Sequence, residues 1–170
     1  MTAKDIQTEF IKTYLKPTLK NNEYKTSGQT WWKNKGDFFI VINLQNSLYN
    51  NKEELSFCLN IGIALTAILK NKEKKKATYF DLLTNLRENS YLSEDRIQIK
   101  KNKGGWLGYK ITNNTNLTEF IDDFRIDLEN NILKQLDKLN TLNDCVQFYD
   151  NIEFWGANLR RQIENNGIKY

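Results

Sequence analysis

The sequence contains no histidine, one proline and two cysteines in 170 residues. Without histidine, a Ser-His-Asp triad, a Cys-His pair and every His-containing metal site are excluded. Two distant cysteines cannot form a Cys-rich zinc site, and no glycine-rich phosphate loop of either common pattern is present. We expect Cys58 and Cys145 to be reduced core residues. The sequence therefore predicts no metal site, no cofactor and no catalytic residue.

Long apolar runs are also lacking, and none approaches the roughly 20 residues that a membrane-spanning helix needs. The first ten residues contain no apolar run, so we expect no signal peptide. These two absences predict a cytoplasmic protein that does not contact a membrane. The length, with 39% hydrophobic and 27% charged residues, is typical of one folded domain over residues 1–170.

Residues 28–65 carry the clearest periodicity. Over residues 55–65 the odd positions are large and apolar and the even positions are small or polar, which predicts a strand with one buried face. Over residues 38–46 the even positions are apolar, while the odd positions change from apolar to polar. The two patterns predict an antiparallel pair in which paired residue numbers sum to an odd value, with Ile42 opposite Leu59.

A third strand is predicted before this pair by the residues GQTWWK. The following Asn34-Lys35-Gly36 suggests a three-residue hairpin with Gly36 in the left-handed region. That turn would place Trp32 beside Phe38 on the core face of the sheet and Trp31 on the opposite face.

Helical periodicity brackets the predicted strands. Helices are predicted over residues 4–20 with a kink or restart at Pro17, over 78–88, for about six turns from Asn116, from Thr141 or Asn143 through Tyr149, and from about 152 to 166. Residues 93–111 look like a second hairpin. The predicted fold is α+β, with an antiparallel sheet of about five strands, a three-strand meander plus a hairpin, packed by an N-terminal helix and C-terminal helices.

Three groups of polar residues are candidates for function. Asn43, Gln45, Ser56 and Asn60 form a polar patch on the non-core sheet face, which could be a ligand floor or could hydrogen-bond a covering helix. The basic residues Lys100, Lys101 and Lys103 precede Trp106, an aromatic-plus-basic pattern that can bind phosphates and stack bases. Carboxylates at Glu119, Asp122, Asp123 and Asp127 could hold Mg²⁺, or could form a solvated helix face.

The central runs VINLQNS (41–47) and LSFCLNIGI (55–63) resemble the bacterial domain-of-unknown-function 4304 family, which shows a similar hydrophobic-Q-x-S … S-F-x-x-N-x-G pattern. Flanking features that fit include Pro17, Trp32, Arg96 and Trp106, so that the resemblance spans roughly residues 6–140. The chain departs from the family at Gln98, where glycine is usual, and in having one tryptophan at 106 instead of two.

The resemblance implies a small cytosolic domain of unknown function. Such domains are often binding proteins, including immunity proteins for contact-delivered toxins, which is an analogy. The net charge of +4 is uneven, basic before residue 110 and acidic after it, and such polarity can steer a partner. We therefore expect a non-enzymatic domain that binds another protein.

Two alternatives remain open, a nucleic-acid-binding module that uses Lys100–Lys103 and Trp106, and a Mg²⁺-dependent enzyme that uses Asp122, Asp123 and Asp127. The predicted binding residues are Asn43, Gln45, Asn60, Arg96, Lys100, Lys101, Lys103 and Trp106.

Overall fold

An antiparallel sheet of six strands forms the centre of the computed structural model, which describes residues 1–71, 73, 75–103 and 108–170. The strands are β1 (Lys25–Ser27), β2 (Thr30–Asn34), β3 (Phe38–Asn46), β4 (Glu54–Leu65), β5 (Leu86–Arg87) and β6 (Tyr109–Thr112). They pair in the order β1-β2-β3-β4, and both β5 and β6 pair with the outer edge of β4. The predicted α+β class with an antiparallel sheet is confirmed, and the sheet is open.

Helices precede and follow the sheet. They are α1 (Ala3–Phe10), α2 (Lys16–Asn21), α3 (Glu94–Asn102), α4 (Leu117–Asp127), α5 (Leu133–Leu136), α6 (Leu142–Asp150) and α7 (Glu153–Asn165), with π-helical turns at Ile11–Leu15 and Leu128–Ile132 and short 3₁₀ turns at Thr66–Ile68, Tyr79–Asp81 and Glu88–Tyr91. Pro17 lies at the start of α2, where its missing N–H donor is tolerated. Among the helices described, none combines the length and apolar character that a bilayer crossing requires.

The main core lies between one face of the sheet and the helices. Its members from β3 and β4 are the large apolar residues at alternating positions, and they pack with Phe10 of α1, Phe124 of α4 and Leu159 of α7. The predicted N-terminal helix and C-terminal helices are confirmed, including the caps of α4 by Asn116 and of α6 by Thr141. The helices therefore cover one face of the sheet.

The register of β3 and β4 differs from the predicted one by two residues. Ile42 lies opposite Ile61 instead of Leu59, although paired numbers sum to an odd value as predicted. A shift of two leaves every side chain on its predicted face, so alternation alone could not distinguish the two registers. The loop between β3 and β4 determines the register, because the Asn50 side chain hydrogen-bonds both the backbone N–H and the backbone C=O of Ser56.

The predicted faces of the two neighbouring tryptophans are wrong. Trp31 lies opposite Ile42 in the main core, and Trp32 lies opposite Val41 on the other face. Gly36 has the predicted positive φ, with a value of 89°. However, the backbone N–H of Lys35 donates to the Phe38 carbonyl, so Lys35 faces Phe38 and the turn between them has two residues instead of three. Changing the turn length by one residue moves each tryptophan to the opposite face.

The helix predicted over 78–88 and the hairpin predicted over 93–111 are also wrong. Residues 78–88 form only one 3₁₀ turn before the chain runs beside β4, where Thr84 accepts a hydrogen bond from the Ile63 N–H. Residues 94–102 form α3 instead. Ser93 caps the first turn and basic residues stabilise the last turn, and these helix signals outweigh the short Ile97–Ile99 alternation that predicted a strand. Strand β6 exists, but it pairs with β4.

Candidate functional site

The sheet face opposite the helices is covered at one end and polar at the other. At the covered end, Trp32, Phe39 and Val41 pack with Leu69 and Ala77 in a second apolar cluster. The polar end carries five residues, which we call the open sheet face: Asn43, Gln45, Cys58, Asn60 and Arg87. Within it Gln45 and Arg87 are exposed and Asn43 is half-buried, whereas Asn60 is only 2% exposed.

Three predicted site residues meet on this face. The Asn60 side chain donates to Oδ1 of Asn43 at 3.3 Å and to Oε1 of Gln45 at 2.8 Å. Asn43 in turn donates to the Thr30 hydroxyl at 2.9 Å. The strand alternation brings these amides together because Asn43 and Asn60 are directly paired and both lie on the non-core face. Their mutual hydrogen bonds fix the orientation of each amide.

Arg87 is a neighbour of this network that sequence reasoning missed. It lies opposite Asn60 in the short strand β5, and its guanidinium contacts the sulfur of Cys58. Burial raises the pKa of the Cys58 thiol to about 11, against the lowering effect of the Arg87 charge. The open sheet face therefore carries a neutral thiol beside an exposed cation.

The loop between β3 and β4, residues 47–53, continues this surface and is called the hairpin tip. Leu48 and Tyr49 are 98% and 93% exposed at its end. The Asn50 side chain bonds the backbone of Ser56, and Oδ1 of Asn51 accepts the backbone N–H groups of residues 53 and 54. The loop thus holds two large apolar side chains in solvent on a hydrogen-bonded frame. This feature was missed by sequence reasoning, although two large apolar residues within a polar loop are a signal that could have indicated it.

Two of the predicted site residues, Arg96 and Lys100, fall into a different cluster, between α3 and α4. Asp127 is fully buried, and its Oδ1 accepts from Arg96 Nε at 2.7 Å. Its Oδ2 accepts from Lys100 Nζ at 3.0 Å and from the Tyr109 hydroxyl at 2.9 Å. Asp123 accepts from Arg96 Nη2 at 3.1 Å. We call these five residues the buried ionic cluster.

The buried ionic cluster contains residues that the sequence analysis proposed for nucleic-acid binding (Lys100) and for Mg²⁺ binding (Asp123 and Asp127). Lys103 adds a longer contact to Asp123 at 3.5 Å, and Asp122 pairs with Arg125 on the helix surface. Lys101 is exposed on α3, and Trp106 lies outside the described residues. In the part of the chain that the structure describes, no group of three or more Cys, Asp or Glu side chains is arranged to hold a metal ion.

A second buried carboxylate, Glu88, completes the edge of the sheet. Its Oε2 accepts the Leu59 N–H at 2.7 Å, in the stretch of β4 between its pairings with β5 and β6. Its Oε1 has no hydrogen-bond partner among the described residues. Burial raises the pKa of Glu88, against the hydrogen bond from Leu59 and the charges of Lys100 and Arg87. The Glu88 carboxylate thus accepts a β4 backbone hydrogen bond at a position where neither β5 nor β6 pairs with β4.

The fold and these surfaces define a small α+β domain with an open antiparallel sheet, one face under helices and the other partly uncovered. The chain belongs to the family described as Domain of unknown function (DUF4304), whose family model matches residues 15–138. The predicted resemblance is confirmed. No curated protein and no solved structure matches the chain.

The family-like run in β4 has a structural explanation in this chain. A Cβ atom on Gly62 would lie 1.5 Å from the Thr84 carbonyl oxygen, so only glycine allows the segment before β5 to cross there. Asn60 orders the amide network described above. Both residues therefore shape the open sheet face and its border.

Proposed function

We propose that this protein is a non-enzymatic domain that binds a protein partner through the hairpin tip. The observation that carries the proposal is the nearly complete exposure of Leu48 and Tyr49 on an ordered loop. Burying a large apolar side chain contributes about 1.5–3 kcal/mol. Two adjacent apolar anchors are therefore enough to form the centre of a binding interface.

The frame of the loop supports this reading. Ser47 donates its backbone N–H to the Ser56 carbonyl, and the Asn50 and Asn51 side chains bond the returning strand. A loop that is already ordered loses little conformational entropy when it binds. Tyrosine suits such a position because it combines an apolar ring with a hydroxyl that can hydrogen-bond at the rim.

A toxin-immunity role is one form of this function. A small, preorganised domain with uneven charge is suited to capture another folded protein. The step from protein binding to immunity rests on analogy with other small bacterial domains, and not on a residue of this chain.

The two alternative functions have less support from the side-chain contacts. Lys100 and Lys103, which would bind phosphates, contact carboxylates of their own chain. Both oxygens of Asp127, which would bind Mg²⁺, accept hydrogen bonds from cationic side chains. Binding of Mg²⁺ by Asp127, or of a phosphate by Lys100, would first require the buried ionic cluster to open, whereas Lys101 and Lys103 are exposed.

Photo-crosslinking in the native cells tests the proposal. A photoreactive phenylalanine analogue replaces Tyr49, and in a control strain it replaces Phe154, which is 67% exposed on α7. Crosslinked material is treated with nuclease and identified by mass spectrometry. We expect one protein to crosslink from position 49 and not from position 154.

Reconstitution with that purified protein completes the test. Tyr49→Asp should raise the Kd at least about 30-fold, because a charge replaces a buried aromatic anchor. Phe154→Asp, which makes the same chemical change elsewhere, should leave the Kd within about twofold. The proposal fails if no protein crosslinks from position 49 or if Tyr49→Asp binds as tightly as the unaltered protein.

A further inference from the structure

We infer that the open sheet face binds a carboxylate side chain of the same protein partner, with Arg87 as its ion-pairing residue. This inference rests on the proposed function, because it extends the interface from the hairpin tip along β3 and β4. It assigns a chemistry to the partner surface, namely an acidic segment that lies beside the apolar pocket for Leu48 and Tyr49.

The pairing of the arginines is the first support. Arg96, Arg125 and Arg160 each lie within ion-pair distance of a carboxylate, and Arg161 donates to an asparagine oxygen. Among the described residues, Arg87 contacts a thiol sulfur and lies within ion-pair distance of no carboxylate. A partner that covered this guanidinium would have to supply an anion, since burying an unpaired charge is costly.

The surrounding groups favour the same ligand. Lys110 pairs with Glu54 at 2.7 Å on the neighbouring part of the face, so these two charges compensate each other. Oε1 of Gln45 already accepts from Asn60, which leaves the NH₂ group of Gln45 as a donor for a partner. A guanidinium and an amide NH₂ group on the same sheet face are both donors that bind carboxylate oxygens.

The position of the face favours a protein over a nucleic acid. The aromatic strand residues on this side of the sheet, Trp32 and Phe39, are buried in the second apolar cluster, so neither offers a ring for stacking bases, and the exposed ring of Tyr49 lies on the adjoining hairpin tip. Gln45 is three residues from Leu48, roughly 10 Å along a strand. One partner with an ordinary footprint of about 800 Å² covers both features.

The test uses the full chain, ¹⁵N-labelled, and three probes at low salt: an acetyl-Gly-Glu-Gly-Glu-Gly-amide peptide, its glutamine counterpart, and a hexathymidine oligonucleotide. We expect the acidic peptide to shift the backbone amides of Asn43, Asn60 and Arg87, and the glutamine peptide to shift none of them. Arg87→Gln should weaken binding of the acidic peptide at least about fivefold. Arg161→Gln, an exposed arginine on α7, should leave it unchanged.

Three results would overturn the inference: shifts scattered over the whole surface, equal binding by the Arg87→Gln variant, or tighter binding of the oligonucleotide at this face. The last would assign the face to nucleic acid. Tyr49→Asp separates this inference from the proposed function, because it should leave peptide binding intact. If partner binding is weakened by Tyr49→Asp but peptide binding is unchanged by Arg87→Gln, the proposed function stands and only the further inference is wrong.

Discussion

Replacing Asp127 with asparagine should lower the free energy of unfolding by about 3–5 kcal/mol. The Asp127 side chain is fully buried, and it accepts hydrogen bonds from Arg96, Lys100 and Tyr109 at 2.7, 3.0 and 2.9 Å. Asparagine keeps the shape but removes the charge, and it turns an NH₂ group toward existing donors. Arg96 and Lys100 would then remain largely desolvated without the charge that compensates them.

Asp122→Asn is the matched control. Asp122 lies on the same helix and pairs with Arg125 at 2.8 Å, but its side chain is 59% exposed. An exposed pair of this kind contributes about 0–1 kcal/mol. Because both variants remove one negative charge from α4, the change in net charge is the same in each. Urea denaturation followed by far-UV circular dichroism gives both free energies, provided that the m-value is unchanged.

A difference of less than about 1 kcal/mol between the two variants would refute the reasoning. Asp127 would then not stabilise the fold, and Arg96 and Lys100 would return as candidates for ligand binding. The double variant Asp127→Asn with Arg96→Gln adds a second check. Because the two side chains are in contact, its cost should fall below the sum of the single costs by about 0.5–3 kcal/mol.

Two further substitutions test the border of the open sheet face. Gly62→Ala should lower the free energy of unfolding by at least about 1–3 kcal/mol in the same urea assay, because the added methyl collides with the Thr84 carbonyl; a loss below 0.5 kcal/mol would contradict the close approach. The pKa of Glu88 is raised in the folded state, so above pH 4.5 the unfolded state releases a proton that the folded state retains, and the unaltered protein loses stability as the pH rises. Glu88→Gln removes this loss, so its free energy of unfolding should improve relative to that of the unaltered protein above pH 4.5. Parallel pH profiles of the two proteins would contradict this.

Alternation predicted the faces of β3 and β4 correctly, but it could not determine their pairing. Every odd sum of residue numbers buries the same side chains, so the apolar pattern is equally satisfied at Ile42–Leu59 and at Ile42–Ile61. The choice between them depends on hydrogen bonds between the hairpin tip and β4, where Asn50 bonds to Ser56. Loop chemistry therefore decided what hydrophobic periodicity left open.

The residues of the candidate site also divide into those that the sequence could place and those that it could not. Asn43, Gln45 and Asn60 could be placed together because strand pairing is local in sequence and the polar positions alternate. The contact between Arg96 and Asp127 joins two residues that are 31 positions apart and lie on different helices, and no local pattern predicts it. The alternation over residues 96–101 also predicts a strand, which would place Arg96 in a different element. The helix signals around Ser93 are present in the sequence, and in the structure they outweigh that alternation.

Arg87 was missed for a related reason. It belongs to a two-residue strand whose position depends on side chains on either side of it, Thr84 bonding to Ile63 and Glu88 bonding to Leu59. Two residues give no periodicity to detect. Only the folded chain shows that Arg87 lies opposite Asn60, at the polar end of the sheet.

These placements separate scaffold residues within the family-like runs from exposed residues outside them. Gly62 and Asn60 are explained by a close backbone approach and by an amide network, both of which act within the chain. A chain can therefore match the family through these residues without sharing a binding partner. The residues that would determine the partner are Leu48, Tyr49 and Arg87, which are exposed. Substituting them should change binding at little cost in stability, whereas substituting Gly62 should do the reverse.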